Sequence, residues 1–244
     1  MILLFTDYGS ADPYSGLMRV AIWAHAPDVA IVDLLHEAPS FNTHASAHLL
    51  SAMSSCFPIG SVCVAVVDPG VGSARNAVVM HADEKWYVGP DNGLLSVVAG
   101  RALQSELWRI DWRPEYLSDS FHGRDLFAPI AAWIDRGAFP HSKLSEIERL
   151  NIGLDYSDLA EVIYIDHYGN IMTGMRAAQI QRNAQFLFGS SAIEFARVFS
   201  DGLSGRPFWY KNSLGLVEFA INGASAALFL GAQVGDQFEV YLPD

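Results

Sequence analysis

The chain has 244 residues, of which 51% are hydrophobic and 17% charged, and this composition excludes a disordered protein. Its formal net charge of −12 would repel a phosphate backbone, which argues against a nucleic-acid partner and favours a cationic small molecule. Residues 1–9 are too few to cross a membrane, and their apolar run has no charged segment before it, so no signal peptide is expected. Cys56 and Cys63 are expected to be inert, buried thiols. We therefore expect a cytoplasmic protein that makes no membrane contact.

The first part of the chain, residues 1–145, alternates strand-like apolar runs with helical patterns. Strands are predicted at 2–5, 29–35, 61–67, 77–80 and 86–88, the last two as a hairpin around Asp83 and Glu84. Helices are predicted at 14–26, 42–55, 93–103 and 125–136. This alternation predicts an α/β domain with a mainly parallel central sheet.

The pattern changes after about residue 140. Residues 146–157 are polar and irregular and are interpreted as a linker, followed by a second domain over 158–244. Short strands are predicted there at 161–166, 170–175, 185–188, 192–195, 215–221, 226–229 and 238–242, with one short helix at 177–183. Several strands at this spacing are typical of a small barrel or sandwich.

Polar side chains directly follow the first predicted strand. Asp7 stands at its carboxyl end, where ligands bind in open α/β sheets. A carboxylate suits a ribose diol, because both hydroxyls can donate to it, and we favour this interpretation of Asp7 over helix capping. Asp12 precedes Pro13, so capping and ligand binding are equally good interpretations of Asp12.

A glycine-rich loop, residues 68–75, follows the most apolar predicted strand. Its glycines allow a tight turn close to a ligand, although it lacks the GK[ST] ending of a phosphate loop. Asp68 and Arg75 can pair across this loop. Such a pair is usually structural, but at the end of a central strand it becomes a candidate site.

The remaining motifs are ambiguous when each is taken alone. In the turn signal at 89–95, Asp91 or Asn92 is expected to cap the following helix. His122 directly precedes a predicted helix, as either a structural residue or a catalyst. The pair His44 and His48 has helical spacing but no third ligand, so no metal site is expected.

The second domain offers two more polar turns of the same ambiguous kind. Asp166 and Asn170 flank a turn between two predicted strands, and a hairpin explains Asn170 better than it explains Asp166. Ser213 lies in the stretch 211–215, which has a similar composition. Neither turn identifies a ligand by itself.

Six motifs in register, spread over nearly the whole chain, are far more specific than any single one. They are TDYG-x2-DPY, VDPGVGSAR, GPDNGLL, FHGRDLFAP, DHYGNIMT and NSLGLVEFAIN. The series resembles the S-adenosyl-L-methionine (SAM) hydroxide adenosyltransferases, relatives of the bacterial fluorinase and chlorinase. The resemblance implies an α/β N-terminal domain, a β-barrel-like C-terminal domain, and displacement of methionine from C5′ of SAM by in-line attack.

The resemblance also implies roles for individual residues. Asp68, Arg75 and His122 match the Asp-Arg-His set of the hydrolases, and Gly123 stands where the halogenases have a serine that helps hold the halide. The matched substrate-binding residues are Asp7 for the ribose, Asn170 for adenine, and Asp166 and Ser213 for the methionine ammonium and nearby atoms. Hydrolysis of SAM to adenosine and methionine is therefore the expected function.

Two mechanisms for activating water stay open at this stage. Either His122 takes the proton while Asp68 orients the imidazole or Arg75, or Arg75 stabilises a bound hydroxide. No cofactor and no metal are expected, and the resemblance implies a homotrimer with sites at subunit interfaces. The alternative functions are a SAM-dependent halogenase and a non-catalytic SAM-binding or sensing protein.

Overall fold

The computed structural model describes residues 1–241, which divide into two compact units, Met1–Tyr156 and the residues from Ser157 onward. Part of the predicted linker is attached to the first unit. The N–H of Asn151 donates to the carboxylate of Asp91 at 3.0 and 3.1 Å, and the N–H of Leu154 donates to Ser96 Oγ at 3.1 Å. The domain limits at 145 and 158 stay a prediction. No helix within residues 1–241 is long and apolar enough to span a membrane.

The first unit contains a seven-stranded sheet with the strand order β2-β1-β3-β5-β4-β6-β7. These strands are β1 (Ile2–Thr6), β2 (Ile31–Leu35), β3 (Val62–Val66), β4 (Ala77–Ala82), β5 (Lys85–Pro90), β6 (Ser105–Ile110) and β7 (Leu144–Glu146). Strands β2, β1, β3 and β5 are mutually parallel, whereas β4, β6 and β7 pair antiparallel. The α/β prediction is confirmed, but the sheet is mixed rather than mainly parallel.

The mixed character starts at the predicted hairpin. Asp83 and Glu84 have positive φ angles of 46° and 63°, the conformation of a tight hairpin turn, so the chain reverses between β4 and β5. Strands β6 and β7 then add to the edge beside β4, and the sequence pattern predicted neither of them. The parallel half of the sheet, where β1 and β3 are neighbours, remains as predicted.

The strands β1 and β3 lie in the core of the first unit. Alternate residues such as Leu4 and Val64 pack with Met18 of helix α1 (Pro13–His25) and Ile130 of helix α4 (Ala128–Asp135). Their neighbours in the chain are equally buried, so both faces of these strands are covered. The other predicted helices form as α2 (Thr43–Ser54) and the shorter α3 (Ser96–Arg101).

The second unit forms a seven-stranded sheet with the order β14-β10-β11-β12-β13-β9-β8. The strands are β8 (Leu159–Ile165), β9 (Ile171–Arg176), β10 (Gln185–Phe188), β11 (Ser191–Phe195), β12 (Phe208–Lys211), β13 (Leu216–Ala220) and β14 (Glu239–Tyr241). The sheet curls, because β8 also meets the segment just before β14 through a bridge between Glu161 and Gln237. The prediction of a barrel-like second domain is confirmed.

Two element predictions in the second unit are wrong. Residues 226–229 were expected as a strand but form helix α5 (Ala226–Leu230), because Ser225 Oγ accepts the Leu228 N–H at 3.1 Å and Gly231 ends the helix at φ 65°. The helix expected at 177–183 is only a 3-10 turn, Ala177–Gln179. Strand β12 was not predicted, and residue 242, included in the last predicted strand, lies outside the described residues.

Candidate functional site

The candidate site lies where two neighbouring parallel strands end. Thr6 of β1 is the register partner of Val66 of β3, so the residues that follow them emerge at one edge of the sheet. Asp7 and Asp68 therefore line one cavity of about 90 Å³. The other lining residues that matter here are Tyr8, Phe41, His122 and Gly123.

The structure brings Asp68, Arg75 and His122 together. Arg75 Nε donates to Asp68 Oδ1 at 2.8 Å, and Arg75 Nη2 donates to Asp68 Oδ2. The same Nη2 lies 3.1 Å from His122 Nδ1, and Arg75 Nη1 donates to the carbonyl of Asn76 at 3.1 Å. The side chains of Arg75 and Asp68 are only 9% and 4% exposed, so this ion pair is largely screened from water.

The contact with Arg75 fixes the protonation of His122. A guanidinium can only donate hydrogen bonds, so Nδ1 of His122 must accept, and the proton of the neutral ring is then on Nε2. Burial and the positive charge of Arg75 lower the pKa of His122 below its ordinary value of 6.5. At neutral pH the ring is therefore uncharged and presents an N–H donor at Nε2.

Asp7 differs electrostatically from Asp68, because the structure gives it no cationic partner among the described residues. Burial and the nearby charge of Asp68 raise the pKa of Asp7, while backbone N–H groups of its own residue and of Phe41 oppose that rise. Asp7 thus presents a half-buried carboxylate to the cavity. A ligand hydroxyl that donates to Asp7 would relieve part of this electrostatic cost.

Gly123 is required by the close approach of Tyr8. A Cβ atom built at Gly123 would collide with the hydroxyl of Tyr8 and would lie 3.3 Å from Met18 Sδ. Tyr8 is itself held by a tilted ring contact with Tyr14 and an edge contact with Phe121. Its hydroxyl therefore occupies the space that a side chain at position 123 would need.

Phe41 is a cavity residue that the sequence interpretation missed. Its side chain is 83% exposed, and its backbone has φ 60°, a strained conformation for a residue with a Cβ. The next residue, Asn42, caps α2 by accepting the Ala45 N–H at 3.0 Å. The sequence offered one signal: Asn42 is a good helix N-cap, so Phe41 directly before it had to lie in the turn that leads into α2.

The capping roles predicted for Asp91 and Asn92 are wrong, since helix α3 begins later and has no side-chain cap. Asn92 Oδ1 instead accepts the Leu94 N–H at 3.2 Å, and Asn92 Nδ2 donates to the carbonyl of Val67 at 2.8 Å. This second bond holds the residue just before Asp68. Asp12 occupies the N-cap position of α1, but its side chain makes no capping hydrogen bond.

In the second unit the structure brings Asp166 and Asn170 together. Asp166 Oδ1 accepts the N–H groups of Tyr168 and Asn170, each at 2.9 Å, and Asp166 Oδ2 accepts Asn170 Nδ2 at 2.9 Å. Ser213 is exposed and lies in a different turn, between β12 and β13. That turn is organised by Asn212, whose Oδ1 accepts the N–H groups of Leu214 and Leu216.

Within residues 1–241 no group of three or more His, Cys, Asp or Glu side chains is arranged to hold a metal ion. The rings of His44 and His48 face each other with centroids 5.2 Å apart on α2. Both cysteines are free; Cys63 is buried, whereas Cys56 is exposed, so the expectation of a buried thiol was wrong for Cys56.

Arg75, screened from water, links the carboxylate of Asp68 to the neutral imidazole of His122, and the nearby carboxylate of Asp7 has a raised pKa. Such a group of perturbed side chains is characteristic of a catalytic centre. The fold and the site together define an α/β enzyme with a barrel-like second unit. Comparison with known families is consistent with this class. The SAM hydroxide adenosyltransferase N-terminal domain matches residues 2–144, the SAM hydroxide adenosyltransferase C-terminal domain matches residues 160–239, and the chain belongs to this family.

Individual relatives show the same similarity over nearly the whole chain. Two proteins named (R)-S-adenosyl-L-methionine hydrolase, from Salinispora arenicola and Thermus thermophilus, are each 34% identical and each aligns over 96% of this chain. The alignments cover 95% and 96% of those relatives, respectively. A crystal structure of an uncharacterized conserved protein from Thermotoga maritima matches with a TM-score of 0.89 and 30% identity, covering 98% of this chain and 99% of that one.

Proposed function

We propose that this protein hydrolyses SAM to adenosine and L-methionine by in-line attack of water or hydroxide on the ribose C5′. Two curated relatives are named for this hydrolysis, and family membership spans both units. The structural observation that carries the proposal is that Asp68 and His122 line the cavity that also contains Asp7, and that Arg75 binds both of them from behind it.

The reaction makes limited demands on the protein. An oxygen–C5′ bond forms while the C5′–sulfur bond breaks, and its electron pair moves to sulfur, which leaves as the neutral thioether of methionine. One proton of the attacking water is released to solvent, before the attack if hydroxide is the nucleophile and after it if water is. No acid is needed for this leaving group. The site must therefore supply an oriented, desolvated oxygen nucleophile, and no metal or organic cofactor has a step to perform.

The geometry of His122 favours hydroxide capture over general base catalysis. Its Nδ1 accepts from Arg75, so its Nε2 carries the proton and can donate to an oxygen anion but cannot accept a proton from water. The opposite tautomer would set an N–H of His122 against an N–H of Arg75. We infer that His122 Nε2–H and the positive charge of Arg75 stabilise hydroxide, while Asp68 fixes the guanidinium.

The cavity of the first unit is too small for the whole substrate. Small-molecule sites typically enclose roughly 300–1,000 Å³, whereas this cavity measures about 90 Å³. It can accommodate the nucleophile and the ribose C5′ region beside Asp7. We propose that the rest of the site comes from another subunit of a homotrimer, with Asn170 at adenine and with Asp166 and Ser213 at the methionine end.

Product analysis tests the reaction directly. The purified protein is incubated with each sulfonium epimer of SAM, with and without chloride or fluoride, and nucleosides are separated by chromatography. Hydrolysis predicts adenosine and methionine in equal amounts without halide, and the relatives' names lead us to expect the (R) epimer as the better substrate. A 5′-halogenated adenosine would instead identify a halogenase, and unchanged SAM would identify a binding protein.

Subunit complementation tests the shared site. His122→Ala and Asn170→Ala carry their defects in different units, so mixed trimers would contain some sites with neither defect. Mixing the two variants after dissociation should restore adenosine formation. A fully active wild-type monomer at micromolar concentration, or no recovery in mixtures shown to exchange subunits, would contradict the shared site.

A further inference from the structure

We propose that His36 is a positioning residue for the loop that carries Asp7, and that it acts through the hydroxyl of Thr6. The proposal rests on the proposed function of Asp7 as the ribose contact. Thr6 is the last residue of β1 and is fully buried, and His36 directly follows β2 and is 7% exposed. Neither side chain lines the cavity, so neither can contact the substrate there.

A polar chain runs from α1 to β1 through His36. Thr6 Oγ1 lies 2.7 Å from His36 Nδ1, and His36 Nε2 lies 3.1 Å from Asp33 Oδ1, at ion-pair distance although not in line for a hydrogen bond. Asp33 Oδ2 in turn accepts Arg19 Nη1 at 2.5 Å. The carboxylate of Asp33 favours a proton on Nε2, and this leaves Nδ1 to accept the hydroxyl hydrogen of Thr6.

The direction of the Thr6 hydroxyl has a consequence for the loop. Because its hydrogen points to His36, its oxygen is free to accept the N–H of Tyr8 at 3.3 Å. That N–H belongs to the peptide bond between Asp7 and Tyr8. The hydroxyl thus restrains the peptide group that sets the direction of the Asp7 side chain.

The backbone around His36 holds the same loop from both sides of Asp7. The Gly9 N–H donates to the carbonyl of His36 at 2.7 Å, and the Ala38 N–H donates to the carbonyl of Thr6 at 3.1 Å. One anchor lies before Asp7 in the chain and the other lies after it. The segment 36–38 therefore fixes the position of the loop, and the His36–Thr6 contact fixes the orientation of its peptide.

The test compares Thr6→Val, which removes the hydroxyl at nearly constant shape, with Thr6→Ser, which keeps it. Adenosine binding by calorimetry reads the ribose contact without turnover, and KM and kcat for SAM are measured beside it. Loss of an oriented hydrogen bond to a buried group should weaken adenosine binding and raise KM about tenfold in Thr6→Val and in His36→Gln. The value of kcat should change little, and Thr6→Ser should bind adenosine like the wild type.

Ser96→Ala is the matched control for a general loss of stability. Ser96 is also a buried hydroxyl; it accepts the Leu154 N–H at 3.1 Å and donates to the carbonyl of Gly93 at 2.6 Å, outside the cavity lining. A comparable drop in Tm with unchanged adenosine binding is expected. If Thr6→Val does not fold, Thr6→Val/His36→Leu replaces both polar partners by apolar groups, which removes the cost of an unpaired buried group.

The outcomes separate this proposal from the proposed function. Wild-type adenosine affinity in Thr6→Val, or an equal loss of affinity in Ser96→Ala, would overturn the positioning role. An added loss when Thr6→Val is combined with Asp7→Ala would also overturn it, because the hydroxyl would then act independently of Asp7. If the wild-type protein binds adenosine but forms none from SAM, only the proposed hydrolysis is overturned. If it binds neither adenosine nor SAM, both proposals are overturned.

Discussion

Asp68 and Asp166 are carboxylates that lie just beyond a strand, one in each unit, and the structure uses them differently. Asp68 pairs with the guanidinium of Arg75, whose remaining contacts include His122 at the cavity. Asp166 accepts three N–H groups from its own turn, the backbone N–H groups of Tyr168 and Asn170 and the side-chain amide of Asn170. The same residue type therefore holds a charged cluster in the first unit and organises a turn in the second.

The comparison predicts different consequences when each region is changed. Substitutions in the Asp68 cluster should act mainly on turnover, because the cluster faces the space proposed for the nucleophile. Substitutions in the Asp166 turn should act on stability and substrate affinity together, since its hydrogen bonds hold the backbone that carries Asn170.

The largest effect is expected from the cluster of the first unit. His122→Ala should lower kcat about 100-fold to 1,000-fold, the range seen when one donor to a developing or bound oxyanion is removed. KM should change little, because His122 is assigned no contact with adenine or methionine. Arg75→Gln should behave similarly, and the double variant should be scarcely worse than either single variant, because the residues act as a unit.

The matched control is Arg109→Ala, which removes another arginine, at an exposed position of β6, from its ion pair with Asp111. It should leave both kcat and KM unchanged. In Arg75→Gln the buried carboxylate of Asp68 loses its partner, and this alone destabilises the fold. The variant Asp68→Asn/Arg75→Gln also removes the unpaired charge, so comparing the two distinguishes unfolding from lost chemistry. Near-wild-type turnover in a folded His122→Ala would contradict the role assigned to the histidine.

A smaller effect is expected for Asp7, on binding rather than turnover. Asp7→Ala removes charge-assisted hydrogen bonds to the ribose hydroxyls, which are similar in the ground state and the transition state, and this should cost about 1.5–3 kcal/mol. Steady-state kinetics should show KM raised by the corresponding factor, roughly tenfold to 150-fold, with kcat preserved. A collapse of kcat at constant KM would instead place Asp7 in the chemical step.

The sequence predicted the parts of the site that are local in the chain. Asp7 and Asp68 follow strongly apolar runs, and Asp68 and Arg75 are separated by one loop, so strand ends and turn residues were enough to select them. The contact between Arg75 and His122 spans 47 residues and depends on where the π-helical turn after His122 lies, which periodicity does not encode. Sequence resemblance, rather than pattern, linked those two residues.

The errors of the sequence interpretation also have local physical causes. The run at 226–229 is apolar enough for a strand, but the cap at Ser225 and the left-handed Gly231 select a helix. The missed strand β12 consists of three aromatic residues and a lysine without clear alternation, although it lies inside the sheet between β11 and β13. Its pairing with β11 on one side and β13 on the other makes it a strand, and the pattern of its own four residues does not encode that pairing.

In the second unit, Asp166→Ala should lower stability and affinity together. Loss of acceptors for three N–H groups is expected to cost about 1–3 kcal/mol, with KM for SAM raised several-fold and kcat nearly unchanged. Asp166→Asn keeps one oxygen acceptor and should lie between this variant and the wild type. Thermal unfolding and kinetics of both variants check this, and a lost affinity without any fall in Tm would show that Asp166 serves the ligand alone.

The last prediction concerns the pH dependence of kcat, and it separates the two accounts of water activation. Burial and Arg75 hold the pKa of His122 below 6.5, so a mechanism limited by His122 as base would have reached its plateau by pH 7. If the site instead captures hydroxide, kcat should continue to rise above pH 7, by at most about tenfold per pH unit while the bound water remains mostly protonated. Single-turnover rates between pH 6 and 9 at saturating SAM make the measurement independent of product release. A flat profile from pH 7 to 9 would return the role of base to His122 and would require its Nδ1 to separate from Arg75 during the reaction.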